Sequence, residues 1–106
     1  MGNYRSRIDI IADILNVASR DAKKTQIMYQ ANLSYKVLQK YLAEVVGASL
    51  VSFEDGRHCY QLTDKGRNFL NAYEKYSKTN RHVEKRLNDV ANRKRFLEDL
   101  CLGYVP

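Results

Sequence analysis

A mainly α-helical fold with one small β-hairpin and a long terminal helix is predicted by three observations. Apolar residues recur at helical spacing through residues 8–45, and two short β-prone runs flank Asp55-Gly56 between residues 50 and 62. A second helical pattern runs from Asp64 to about Asp99 with no proline and no interior glycine after Gly66. The 106 residues suit one domain with one appended element, and 44% hydrophobic residues with a single proline, Pro106, fit a packed, helix-rich chain. Eighteen lysines and arginines against 12 aspartates and glutamates leave a net charge of +6. That surplus points to a polyanionic partner, nucleic acid first and an acidic membrane surface second.

The first helix begins at Ser6, where Ser6-Arg7-Ile8-Asp9 has the form of a capping box. Ile8, Ile11, Ile14, Leu15 and Ala18 carry its apolar face to about Arg20. After the polar stretch Asp21-Ala22-Lys23-Lys24, Thr25 is expected to cap a second helix bearing Ile27, Met28 and Ala31. Asn32-Leu33 makes a turn, and Ser34 caps a third helix whose stripe is Leu38, Tyr41, Leu42 and Val45. Gly47 is expected to supply its left-handed stop. The period then shortens. Leu50-Val51-Ser52-Phe53 and Cys59-Tyr60-Gln61-Leu62 read as strands, joined by a tight tip at Asp55-Gly56. Helix, helix-turn-helix, hairpin is the order of a winged helix.

Thr63 caps the last helix. Phe69, Tyr73, Tyr76, Asn80, Val83, Leu87, Val90, Lys94, Leu97 and Cys101 alternate spacings of four and three, a heptad seam of four repeats. At 1.5 Å per residue this helix is on the order of 50 Å long, too long for a 60-residue head to cover, so the seam calls for a partner chain. The polar seam residues Asn80 and Lys94 select register and strand number, and an antiparallel pairing puts two heads at opposite ends of a rod. A break near Ser77-Lys78-Thr79-Asn80, giving two shorter helices, is the competing reading. The division is thus residues 1–62, a winged-helix DNA-binding domain, and residues 63–106, a coiled-coil dimerisation element.

Lys24-Thr25-Gln26-Ile27-Met28-Tyr29-Gln30-Ala31-Asn32-Leu33-Ser34-Tyr35, with Tyr60-Gln61-Leu62-Thr63-Asp64-Lys65-Gly66, resembles the small archaeal winged-helix DNA-binding proteins of about ten kilodaltons, often called chromatin proteins. Arg5-Ser6-Arg7-Ile8-Asp9-Ile10-Ile11 is similar to that family's first helix. The resemblance covers roughly residues 5–70 and implies a dimer, joined by an antiparallel coiled coil of the last helix, with a winged helix at each end binding duplex DNA. The tail from Leu100 to Pro106 and the acidic pair Glu54-Asp55 at the wing tip depart from the pattern.

The third helix is the expected reading helix. Ser34, Lys36, Gln39 and Lys40 lie away from the apolar stripe and offer hydroxyl, amide and ammonium groups to base edges and phosphates in a major groove. Tyr35 either joins them or packs in the core. Lys23 and Lys24 are expected to neutralise phosphates, and Thr25 and Gln26, near a helix amino end, to touch the backbone. From Arg20 to Lys40 five basic residues stand against Asp21, a local +4, whereas Ala43 to Leu62 carries −2. In the wing, Arg57 is the candidate for an adjacent minor groove, with His58 a weaker one. Tyr73, Tyr76, Asn80, Val83, Leu87, Val90 and Leu97 are the dimerisation candidates, and the interspersed charges of the last helix read as serving solubility and interchain pairs.

No phosphate-binding loop, zinc-protease motif or activated nucleophile occurs, so an enzyme is excluded. No cofactor, metal or small-molecule ligand is expected. His58 and Cys59 are strand neighbours that point to opposite faces, a poor metal pair. Cys59 and Cys101 make no disulfide framework and no leader is seen, which gives a cytoplasmic, nucleoid-associated expectation with no membrane partner. The reading is therefore a homodimeric double-stranded DNA-binding protein, a transcriptional regulator or chromatin protein. The alternative is a winged-helix protein-interaction scaffold without direct DNA binding, favoured by the acidic wing.

Overall fold

In a computed structural model, which describes residues 4–103, the chain is a winged helix-turn-helix followed by a long C-terminal helix. Helices α1 (Arg7–Ala18), α2 (Lys24–Gln30) and α3 (Tyr35–Gly47) precede strands β1 (Val51–Glu54) and β2 (Cys59–Leu62), and α4 (Asp64–Leu100) closes the order. Two units are distinguishable, Met1–Tyr73 and Glu74–Pro106.

Each end of α1 has a local cause. Ser6 Oγ accepts the Asp9 amide at 3.2 Å while the Asp9 carboxylate accepts the Ser6 amide at 3.0 Å, the reciprocal capping box foreseen in the sequence. A second donor reaches Asp9, because the Tyr73 hydroxyl donates to its Oδ1 at 2.6 Å. That bond, with the Ser6 amide, holds the Asp9 carboxyl below the usual carboxylate range. α1 stops at Ala18, two residues short of the expected end at Arg20, with Ser19 as its C-cap. Its buried face is Ile11, Ile14, Leu15, Val17 and Ala18, whereas Ile8 stays 40% exposed at the helix start and is not part of the core.

Thr25 does not cap α2. The chain is held extended through Lys23 by a pair of bonds, Ala22 N–H to Tyr60 O (3.1 Å) and Tyr60 N–H to Ala22 O (2.7 Å), so the helix begins immediately afterwards at Lys24 with Lys23 as N-cap. Ser34 caps α3 as expected, its Oγ accepting the Val37 amide at 3.3 Å. Gly47 does not stop α3. It is the last residue of the helix, and the left-handed position falls at Ser49 (φ 62°), after the Ala48 C-cap. The reason is Leu50, whose amide returns to Val45 O at 2.9 Å as the chain swings its side chain into the core.

The hairpin pairs Val51 with Leu62, Ser52 with Gln61, Phe53 with Tyr60 and Glu54 with Cys59, starting one residue later than the reading from Leu50. The tip is a four-residue loop rather than a tight Asp55-Gly56 turn, and its left-handed residue is His58 (φ 51°), not Gly56. Glu54 dictates this, taking the Gly56 amide at 2.7 Å and Arg57 Nε at 2.9 Å into one carboxylate. α4 runs without interruption through Ser77–Asn80, so the two-helix alternative is set aside.

The core of the head brings Ile14 and Leu15 of α1, Ile27 of α2, Leu38, Leu42 and Val45 of α3, and Val51 of β1 together, each 4% exposed or less. Burial of one such side chain is worth about 1.5–3 kcal/mol, so three helices that are individually short hold through this shared apolar surface. Phe69 and Leu70 of α4 pack against its edge.

Two contacts lock the head from outside the core. The Arg5 guanidinium binds Asp13 Oδ2 (2.9 Å), Ala31 O (2.6 Å) and Asn32 O (2.7 Å), pinning the turn between α2 and α3 to α1. At the hairpin base, the Leu50 carbonyl accepts the Thr63 amide (3.2 Å), and the Thr63 hydroxyl shares its one hydrogen between Ser49 O (2.6 Å) and Leu50 O (3.0 Å). A Cβ on Gly66 would stand 2.2 Å from that same carbonyl oxygen and 2.5 Å from Leu62 Cδ1. Gly66→Ala should therefore cost about 1–3 kcal/mol or more in denaturant unfolding, because backbone rather than a flexible side chain must yield. Arg5→Ala should cost about 1–3 kcal/mol in the same assay, and Arg5→Lys should recover little of it, since an ammonium lacks the planar fork that serves three acceptors.

Candidate nucleic-acid interface

The amino end of α2 and the first turns of α3 carry the polar side chains that the sequence singled out. Lys36, Gln39 and Lys40 recur at helical spacings of three and four, so they share one face of α3, and all three are exposed. The opposite face is the buried Leu38–Leu42–Val45 stripe, which fixes the rotation of the helix about its axis. Ser34 is occupied as the cap, leaving its hydroxyl hydrogen free to donate.

Tyr35 is not a core residue. It is 59% exposed, and Lys24 of α2 lies over its ring at 4.8 Å from the centroid, with Nζ 3.5 Å from the phenolic oxygen. Such a cation–π contact is worth about 0.5–1 kcal/mol at an exposed site, enough to place Lys24 and Tyr35 side by side without holding them rigidly. Lys40 lies 5.4 Å from the Tyr41 ring in the same way, while Tyr41 itself is half-buried against the core. Gln26 is turned back toward its own helix start, its Oε1 accepting the Lys23 amide at 3.4 Å, and Thr25 is exposed beside it.

Cations of the head differ in their pairing. Arg5 and Arg7 are paired with Asp13 and Glu44, and Arg57 with both Glu54 and Asp21. Among the described residues, no carboxylate forms an ion pair with Lys23, Lys24, Lys36 or Lys40. The positive field of the helix-turn-helix is therefore uncompensated, and that of the wing is not.

Arg57, exposed at the wing, donates Nε to Glu54 at 2.9 Å and an amino group to Asp21 at 3.3 Å. The Arg57 bond draws the Glu54 carboxyl below the usual carboxylate range, and Glu54 raises Arg57 above its own ordinary value. His58 packs its ring 6.1 Å from Phe53, which in turn meets Tyr60 at 4.9 Å, so the wing's aromatic residues hold one another.

Sequence reasoning missed one contributor. Arg5, read only as part of the first-helix resemblance, supports the turn through carbonyls 26 and 27 residues away, which no local pattern encodes. Of the seam residues, Phe69 and Tyr73 stack at 6.4 Å within the head, and Asp9 takes the Tyr73 hydroxyl. Tyr76, Asn80, Val83, Leu87, Val90 and Leu97 follow on α4, all exposed. Among the described residues, no helix is long and apolar enough to cross a membrane, and no group of three or more His, Cys, Asp or Glu side chains is placed to hold a metal ion.

Known proteins share this arrangement. Residues 4–81 match the winged helix-turn-helix family. An uncharacterized protein of the archaeon Methanocaldococcus jannaschii is 38% identical over 71 residues, 66% of this chain and 33% of the relative, so the chain spans about a third of that relative's length. Sso10a-2, a DNA-binding protein from Sulfolobus solfataricus, has a similar structure, with a TM-score of 0.75 at 27% identity over 83% of this chain and 95% of its own. The transcriptional repressor CouR, bound to p-coumaroyl-CoA, reaches a TM-score of 0.61 at 26% identity over 92% of this chain and 72% of its own. Family and neighbours agree with the sequence reading that the chain is not an enzyme. Matched from residue 4 to residue 81 and carrying the three helices and hairpin in their order, this chain belongs to the winged helix-turn-helix family.

Proposed function

We propose that the chain binds double-stranded DNA as a homodimer, with α3 in the major groove. The observation that carries this reading is the cluster of lysines on the helix-turn-helix, Lys23, Lys36 and Lys40 exposed and Lys24 half-buried, free of carboxylate ion pairs among the described residues, beside a wing whose arginine is neutralised. Lys23, Lys24, Lys36 and Lys40 neutralise phosphates. Gln39, Tyr35 and Ser34 face base edges and backbone, and Thr25 and Gln26 flank them. Arg57 joins only by exchanging Glu54 and Asp21 for a phosphate oxygen. The kinship with a DNA-binding protein and a transcriptional repressor supports the same reading.

Residues 1–62 then act as the reader and residues 63–106 as an antiparallel coiled-coil connector. Support for the connector comes from Val83, Leu87, Val90 and Leu97, which are 50–64% exposed in the single chain at heptad spacing. Leaving that many large apolar side chains in water on one stripe is the pattern of an interface. The protein would work in the cytoplasm on the nucleoid, as a regulator if one motif is selected from a random DNA pool and as a chromatin protein if the selection is flat.

Two measurements test this. Affinity for random duplex should fall steeply with salt, and Lys36→Glu with Lys40→Glu should make the log–log slope less steep by about 2, at roughly 0.9 per phosphate neutralised. No duplex binding by the unaltered chain at low salt would favour a protein-interaction scaffold. In sedimentation, the intact chain should run as a dimer and Leu87→Glu as a monomer; an intact monomer would end the coiled-coil reading.

A further inference from the structure

α4 carries a second charged feature, distinct from the head. Lys78, Arg81, His82 and Lys85 recur at i, i+3, i+4 and i+7 and line one shallow cleft on the helix surface. All four are exposed. Arg81 reaches the Ser77 hydroxyl at 3.4 Å, and among the described residues no carboxylate forms an ion pair with any of the four. Glu74, four residues before Lys78, and Asp89, four after Lys85, bound the stripe on the same face. Between Glu74 and Glu84 there is no acidic residue at all.

Rotation about the helix axis separates this stripe from the seam. At about 100° per residue, the stripe centres roughly 160° from the positions of Asn80, Val83, Leu87, Val90, Lys94 and Leu97. With the seam at a and d, Lys78 and Lys85 fall at f, Arg81 at b and His82 at c. Charges that pair between helices occupy e and g, which here hold Glu84, Arg86, Arg93 and Glu98. The stripe is therefore on the outside of any helix pair formed through the seam, where a partner's carboxylates do not reach.

We infer that Lys78, Arg81, His82 and Lys85 form a second, sequence-independent contact surface for the phosphate backbone of duplex DNA. The inference rests on the DNA reading of the head and extends it to the connector. Charge complementarity selects the occupant: cations without acids over about 10 Å of helix axis face a strand that carries one phosphate per about 3.4 Å of duplex axis, with room for two or three contacts. An arginine and two lysines on flexible stems bind phosphate as positioning groups and read no base.

The test compares salt titrations of random duplex by the full chain and by Lys78→Gln/Arg81→Gln/Lys85→Gln, since glutamine keeps nearly the helix propensity of the residues it replaces. Loss of two phosphate contacts should make the log–log slope less steep by about 2, so that the fall in affinity between 50 and 200 mM salt is about tenfold smaller than for the unaltered chain. Lys78→Arg with Lys85→Arg should keep the original slope. Far-UV circular dichroism should show α4 intact; if the triple variant loses helix, Lys78→Gln/Lys85→Gln decides, with a change of about 1. An unchanged slope in a folded variant overturns the inference while Lys36 and Lys40 continue to govern binding. Failure of the unaltered chain to bind duplex at 50 mM salt overturns the DNA reading itself. Loss of binding to phosphatidylserine vesicles by the triple variant with its DNA slope unchanged would assign the stripe to a membrane surface instead.

Discussion

The carbonyl oxygen of Leu50 is where the head closes, and most of its geometry depends on what that oxygen accepts. It takes the Thr63 amide and shares the Thr63 hydroxyl hydrogen with the Ser49 carbonyl, while the Thr63 hydroxyl oxygen accepts the Gly66 amide at 3.0 Å. One residue along, Lys65 Nζ donates to the Ala48 carbonyl at 2.7 Å, satisfying an acceptor just beyond α3. The run Leu62-Thr63-Asp64-Lys65-Gly66 is thus a physical device. Leu62 pairs with Val51, Thr63 ties two elements, Lys65 caps a third, and Gly66 lets α4 approach backbone that any side chain would push away. With the hairpin base fixed, β2 can hold Ala22 through Tyr60, and Lys23 is placed to start α2.

This chain of dependence explains which features were legible in the sequence. Caps that act within three residues, Ser6 with Asp9 and Ser34 with Val37, were readable because donor and acceptor are sequence neighbours. The order of elements follows from periodicity together with cap and turn signals, whereas the continuity of α4 through Ser77–Asn80, open against a two-helix reading, comes from the structure. The misreadings share a pattern, a residue of the right chemistry overruled by a stronger contact nearby. Thr25 has the chemistry of a cap, yet the bridge from Ala22 to Tyr60, 38 residues apart in the numbering, moves the helix start to Lys24. Gly47 has the freedom for a left-handed stop, yet burial of Leu50 sets the turn at Ser49. Asp55-Gly56 is a strong turn signal overridden by the grip of Glu54 on Gly56 and Arg57. Local propensity lost to tertiary contact at Thr25 and Gly47, and to a competing local side-chain contact at the hairpin tip.

The candidate interface was legible as composition but not as pairing. Lysines of the helix-turn-helix could be counted, whereas the partition that leaves them unpaired and gives Arg5, Arg7 and Arg57 carboxylate partners needs three dimensions. Exposed pairs of this kind contribute little to stability. Their larger effect is on where positive charge remains available.

That partition has a kinetic consequence. With uncompensated cations on α2 and α3, and with Glu54 and Asp55 beside a neutralised Arg57 at the hairpin tip, the head is an electric dipole as well as a net positive body. In the field of a polyanion a dipole experiences a torque as well as an attraction. Tumbling is biased before contact toward orientations in which the unpaired lysines face the polyanion.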